Sequence, residues 1–167
     1  MAIVISADEL KKTIPGYNPQ QSHLVHHKSA KMANAEYAKV VKSGEYNEVI
    51  LLSGGAASGK TEFMSEYLIN RQSIILDGAL PSFEGAKIKT RLAKKYHKKV
   101  KIVAVWPADL RVAFAAFLQR DRKFPDEHFY RTHSQSRKAL LEVATSDLDI
   151  EIKVYENDYD QKGLIFP

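Results

Sequence analysis

Cysteine is absent from the 167-residue sequence. That absence excludes disulfides and thiolate metal sites, and it suits a cytoplasmic setting. No apolar run approaches the roughly 20 residues that a membrane-spanning helix needs. The N-terminus carries Asp8 and Glu9 and lacks a basic segment followed by a long apolar one, so a secretory signal is not expected there. Internal repeats and low-complexity tracts are missing as well. What is present suits one compact domain: 44% of the residues are hydrophobic, and the net charge is +5 with a pI near 9.3. A basic surface favours anionic partners such as nucleotides, nucleotide sugars or nucleic acid, and carries no information about fold.

Apolar runs alternate with amphipathic ones along most of the chain. "SADE" at 6–9 matches a capping box and predicts a short helix to about Thr13. "IPGYNP" at 14–19 ends it. A longer helix is expected over 21–43, with Ala30, Ala33, Tyr37 and Val40 at helical spacing and Gly44 at the C-terminal cap. "EVILL" (48–52), "SIIL" (73–76), "VKIVAVW" (100–106) and "IEIKVY" (150–155) read as strands, the last exposed on one face. Helices are expected after 59–61, over 82–96, from Pro107 to about 119, and over 126–144. Strands alternating with helices predict an α/β fold: a small parallel sheet of about four strands flanked by helices. Residues 1–44 are expected to be a helical extension packed on a domain at 45–167.

The most informative stretch is "LLSGGAASGKTEF" (51–63). Gly54-x-x-x-x-Gly59-Lys60-Thr61 fits every fixed position of the Walker A pattern, between a buried strand and a helix as its mechanism requires. Glycines let backbone N–H groups approach phosphates, and the helix N-terminus adds its positive end. Gly54, Gly55, Ala56, Ala57, Ser58, Gly59, Lys60 and Thr61 are therefore expected to cradle a nucleoside triphosphate. Lys60 would reach the terminal phosphates and Thr61 would offer its hydroxyl to Mg²⁺.

Beyond that motif the chain resembles the zeta toxin family of P-loop kinases. The resemblance rests on "VILLSGGAASGKTEF", on "IILDGALPSFEGAKIKTRLA", on "VKIVAVWPADLRVAFAAFLQRDRKFPDEHFYRTHSQSR" and on "IKVYENDYD", together covering about 48–160. The family phosphorylates UDP-activated amino sugars with ATP or GTP, and some relatives act on other acceptors, including NAD. The resemblance implies a P-loop kinase with Mg²⁺ and ATP or GTP as donor. It also implies that Asp77 stands at a substrate-contacting acid and that Arg120 and Arg122 stand at lid arginines. An inhibitor or antitoxin protein is implied as a partner. Full-length members carry a further strand-helix unit, with the aspartate proposed as base, between the P-loop helix and the acid-glycine strand. This chain has barely ten residues at that place.

Asp77 ends a buried strand, and in open parallel sheets the carboxyl ends of strands line the ligand crevice. It is the one acid placed at that edge by the sequence, so it is expected both to hold the Mg²⁺ shell and to orient the acceptor hydroxyl. Arg120 and Arg122, with Lys123 beside them, form a basic run suited to the charge that develops on a transferring phosphoryl group. His133 and Arg137, one turn apart, are candidate substrate contacts. Asn157, after the last strand, is a candidate contact to the nucleotide base. His23 and His27 lie four apart without an evident third ligand. The run "KIKTRLAKKYHKKVK" (87–101) reads as the wet face of a helix, and nucleic acid is not the expected partner. The expected activity is transfer of a terminal phosphate to a hydroxyl of a nucleotide sugar or similar nucleotide-containing metabolite. The alternatives are a polynucleotide 5′-hydroxyl kinase and a non-catalytic nucleotide-binding module held by an inhibitor protein.

Overall fold

The computed structural model describes residues 1–160 and 163–165. Strands β1 (Ile3–Ser6), β2 (Glu48–Ser53), β3 (Ile74–Asp77), β4 (Lys99–Pro107), β5 (Glu151–Asp160) and β6 (Gly163–Ile165) form one sheet in the order β1-β3-β2-β4-β5-β6. The first five are parallel, and β6 runs antiparallel to β5. Helices α1 (Ala7–Lys11), α2 (His26–Lys42), α3 (Lys60–Phe63), α4 (Phe83–Lys95), α5 (Leu110–Leu118) and α6 (Asp126–Ala144) make the connections. This is the expected α/β architecture of a parallel sheet covered on both faces. Among the described residues, no helix is long and apolar enough to cross a membrane.

The continuous apolar run of β2 is explained by burial on both faces. Side chains alternate across a strand. Val49 and Leu51 therefore face Tyr37 and Val41 of α2, Ala86 and Ala93 of α4, and Leu140 and Val143 of α6. Ile50 and Leu52 face the other way, onto Phe63, Met64 and Leu68. That second face is covered by α3 and the π-helical turn Met64–Leu68 that continues it, closed by the Ile69 amide donating to the Met64 carbonyl at 2.9 Å. Tyr37, fully buried, spends its hydroxyl on the Lys89 carbonyl at 2.9 Å and so ties α2 to α4.

Two expectations need correction at the N-terminus. The parallel part of the sheet has five strands rather than about four, because "IVIS" pairs with β3 in the register Ile3↔Ile74 to Ser6↔Asp77. Residues 1–44 thus supply an edge strand as well as the helices packed on the core. Ser6 makes no side-chain cap on α1. Its hydroxyl instead donates to Asp77 Oδ2 at 3.2 Å, across the neighbouring strand. The long early helix is also shorter than expected. A 3₁₀ turn over Pro19–Val25, capped by the Asn18 side chain, precedes α2.

Ile5 is 3% exposed and belongs to the main core. Ile5→Ala should therefore lower stability by about 2–5 kcal/mol, the usual cost of emptying a core isoleucine site. Denaturant unfolding measures it, and an unchanged midpoint would mean that β1 is dispensable to the sheet.

Candidate functional site

The loop 54–59 leaves the carboxyl end of β2 and enters α3. Gly54 has φ +142°, and a Cβ there would lie 2.4 Å from the Val105 carbonyl. A Cβ on Gly55 would lie 2.2 Å from the His133 ring. Both glycines are demanded by close approach. The loop is held from two sides. From α6, His133 Nε2 donates to the Ala56 carbonyl at 2.9 Å, and Thr132 Oγ1 accepts from the Ala56 amide at 3.0 Å. From β5, Asn157 Nδ2 donates to the Ser58 carbonyl at 3.0 Å, and the Tyr159 hydroxyl donates to the Ala57 carbonyl. Three of these bonds take loop carbonyls and the fourth takes the Ala56 amide. The first amides of α3 remain at a helix N-terminus, where no intrahelical partner exists.

Lys60 folds back over this loop, donating to the carbonyls of Gly54 and Gly55, both at 2.9 Å. Burial presses its pKa down to about 8, against the pull of the Asp77 carboxylate. Asp77 responds in the opposite sense: burial raises it, and Lys60 and the Ser6 hydroxyl oppose the rise. A half-buried amine and a half-buried carboxylate each push the other toward its charged form. Thr61, exposed, stands at the same end of α3.

The cleft in front of the loop has a volume of about 490 Å³. It brings together Lys60, Thr61, Asp77, Arg120 and Arg122, five residues expected from the sequence to act together. It also holds an acid that sequence reasoning missed. Asp8, just past the end of β1, lines the cleft and pairs with Arg122 and, at 2.8 Å, with Lys11. Burial alone would raise the Asp8 carboxyl, but Arg122 and Lys11 outweigh it and hold the pKa down to about 2. Asp77 is therefore not the only acid at this edge. The signal was available in "IVIS", a short apolar run ahead of Asp8, but the capping-box pattern overlapping it read as a helix start.

Three expected contacts lie elsewhere. Asn157 is fully buried behind the loop, so its amide supports Ser58 and cannot meet a base. His133 is 5% exposed, and it packs on Gly55 and bonds to Ala56 rather than opening to substrate. Arg137 lies with its guanidinium 5.0 Å from the centre of the Trp106 ring, lining separate grooves with Leu110 and Arg111. The face of α6 that does enter the cleft carries His128, Arg131, Thr132 and Gln135. Their spacing of i, i+3, i+4 and i+7 is one helical stripe. The sequence reading placed the functional stripe one residue around the helix, because His133 and Arg137 obey the same periodicity.

No family model and no curated protein matches the sequence. Solved structures do match the fold. One is a chain of the AvrRxo1-ORF1:AvrRxo1-ORF2 complex with sulphate ions, with a TM-score of 0.55 at 13% identity over 91% of this chain and 68% of that one. Another is a chain of the native complex of the same two proteins, with a TM-score of 0.55 at 14% identity over 96% and 70%. At such identity the likeness extends to fold alone.

The His133 contact makes the loop sensitive to acid. Burial lowers its pKa to about 4, with Lys60 and Arg137 adding to the fall and the Ala56 carbonyl opposing it. The buried Nδ1 has no partner, so the folded ring is neutral. An unfolded histidine takes its proton near pH 6.5. Between that pH and about 4 the unfolded chain binds more protons, and stability falls as pH falls. His26 and His128 shift in the same direction, so the wild-type decline is shared among the three. Thermal melts from pH 7.5 to 5 should show the decline, and His133→Gln, which keeps a donor but does not titrate, should flatten part of it.

Proposed function

We propose that the protein is a Mg²⁺-dependent phosphotransferase of zeta-toxin type, moving the terminal phosphate of ATP or GTP to a hydroxyl of a nucleotide-containing metabolite. The single observation that carries this reading is convergence. The Walker lysine and threonine, the strand-end acid Asp77 and the two arginines of the 119–125 loop meet in one cleft, although they come from three separate parts of the chain. The loop amides and Lys60 would bind the phosphates, with Lys60 leaving the Gly54 and Gly55 carbonyls to do so. Arg120 and Arg122 would meet the charge that spreads over the transferring group.

The Thr61 hydroxyl and the Asp77 carboxylate open onto this cleft, and such oxygen donors suit a hard divalent cation. When bound there, Mg²⁺ would neutralise charge on the phosphate oxygens. Asp77, raised by burial, is suited to accept a hydrogen bond from the acceptor hydroxyl. In the transfer, the hydroxyl oxygen forms a bond to the terminal phosphorus. The bond from that phosphorus to the bridging oxygen breaks, the nucleoside diphosphate leaves, and the hydroxyl proton is released. Lys89, Arg131 and Gln135 line the same cleft and favour an acceptor that itself carries phosphate. AvrRxo1-ORF1 was crystallised with a second protein, AvrRxo1-ORF2, and by analogy we extend to this chain a protein partner, for which the zeta-toxin resemblance implies an inhibitor.

Incubation with labelled ATP and a metabolite extract should yield a labelled small molecule. Lys60→Ala should abolish that product while the protein stays folded, because a loop lysine adds little to the core. Asp77→Asn should cut transfer by roughly 10²–10⁴-fold, the usual effect of losing an acid/base group. ATP binding without transfer across such extracts would favour the non-catalytic binding module instead.

A further inference from the structure

The N-terminal segment reaches across the cleft to the loop that carries Arg120 and Arg122. Four contacts connect them. The Asp8 carboxylate pairs with the Arg122 guanidinium. The Lys123 amide donates to the Pro19 carbonyl at 3.0 Å. Gln20 Nε2 donates to the Asp121 carbonyl at 3.2 Å. The Lys11 ammonium lies 4.6 Å from the centre of the Phe124 ring. Phe124 is in turn stacked on His128 at 4.2 Å and met edge-on by His26 at 5.6 Å.

Within this network Asp8 has a particular chemistry. Its Oδ1 is taken by Lys11 and its Oδ2 by Arg122. Lys11 has a side chain with no exposed surface, and a charge buried that deeply persists only when paired. Lys11 is therefore a fixed peg behind Asp8, and Asp8 is a fixed peg behind Arg122. An arginine on a loop has many rotamers, and ordering it before substrate arrives removes that entropy from the reacting complex. Both oxygens of Asp8 are paired with cations that favour its charged form, so it holds a neighbour in place and is a poor proton acceptor.

We propose that Asp8, backed by buried Lys11, is the positioning residue that presents Arg122 to the transferring phosphoryl group. The N-terminal strand is thereby a working part of the lid. This inference rests on the phosphotransferase reading. It assigns to residues ahead of the P-loop a role that the Walker motif and the arginine run do not contain.

Mg-ADP and Mg-ADP with aluminium fluoride, which mimics the transferring group, separate ground-state binding from lid engagement. Titration calorimetry of wild type should show that fluoride tightens Mg-ADP binding. Arg122→Ala should lose that tightening by roughly 10- to 100-fold, the worth of a hydrogen bond to a charged group. Asp8→Ala should lose the same amount, with Mg-ADP affinity alone unchanged. The Asp8→Ala/Arg122→Ala double variant should be no worse than Arg122→Ala, and Asp8→Glu should recover part of the loss. Because removing Asp8 strands the Lys11 charge, the paired change Asp8→Asn/Lys11→Met keeps the size of the acid without a buried unpaired cation, and it should behave like Asp8→Ala.

Retained fluoride tightening in the Asp8 variants would overturn the proposal, leaving Asp8 a structural tie. So would additive losses in the double variant. Fluoride adding nothing to wild type would remove the lid role and the proposal with it. Wild type failing to bind Mg-ADP at all would instead bring down the nucleotide reading on which it stands.

Discussion

The site depends on one close contact: the imidazole of His133 lies where a Cβ of Gly55 would be. That approach brings α6 directly onto the P-loop and lets Thr132 and His133 bind both polar groups of the Ala56 backbone. From the other side, Asn157 and Tyr159 reach the carbonyls of Ser58 and Ala57. Here the loop is fixed at Ala56, Ala57 and Ser58 by side chains of α6 and β5. Hydrogen bonds to buried backbone groups are individually modest, but leaving one unmade is expensive, so the set resists rearrangement.

Some residues with chemical side chains lie outside the cleft. His133, Asn157 and Arg137 were natural candidates because histidine, asparagine and arginine often touch substrates. Their burial assigns the first two to the scaffold, and the stacking of Arg137 on Trp106 assigns it to a separate groove. What could be read from sequence was whatever has a strong local signature. The Walker loop, the apolar runs of β2, β3 and β4, and the acid at the end of β3 all appear where periodicity and motif place them. The arginines at 120 and 122 were legible as a basic run between helices. The role of β1 was not, since four residues of strand carry little periodicity and its partner lies far along the chain. Helical phase on α6 was also underdetermined, because two stripes of that helix carry polar residues and only tertiary packing decides which one faces the cleft.

The position of β1 changes how the small size of the domain is understood. The short link between α3 and β3 leaves no room there for a strand-helix unit, and the sheet would end at β3 without another strand beside it. The chain fills that edge from its N-terminal side instead. The parallel register Ser6↔Asp77 then sets two acids, Asp77 and Asp8, at the same carboxyl edge, one half-buried beside Lys60 and one facing Arg122. Edge position and charge balance follow from topology, with no insertion needed after the P-loop.

The long reach of the contacts that assemble the cleft has a kinetic meaning. Ser6 meets Asp77 across 71 positions, His133 meets Ala56 across 77, and Tyr159 meets Ala57 across 102. Non-local pairing in parallel sheets is slow, because loop closure must precede the contacts that reward it. The last two of these bonds join the first half of the chain to the second. A partly folded chain, however much helix it has formed, therefore presents no ordered loop at 54–59: order comes to that loop only when α6 and β5 have docked behind it.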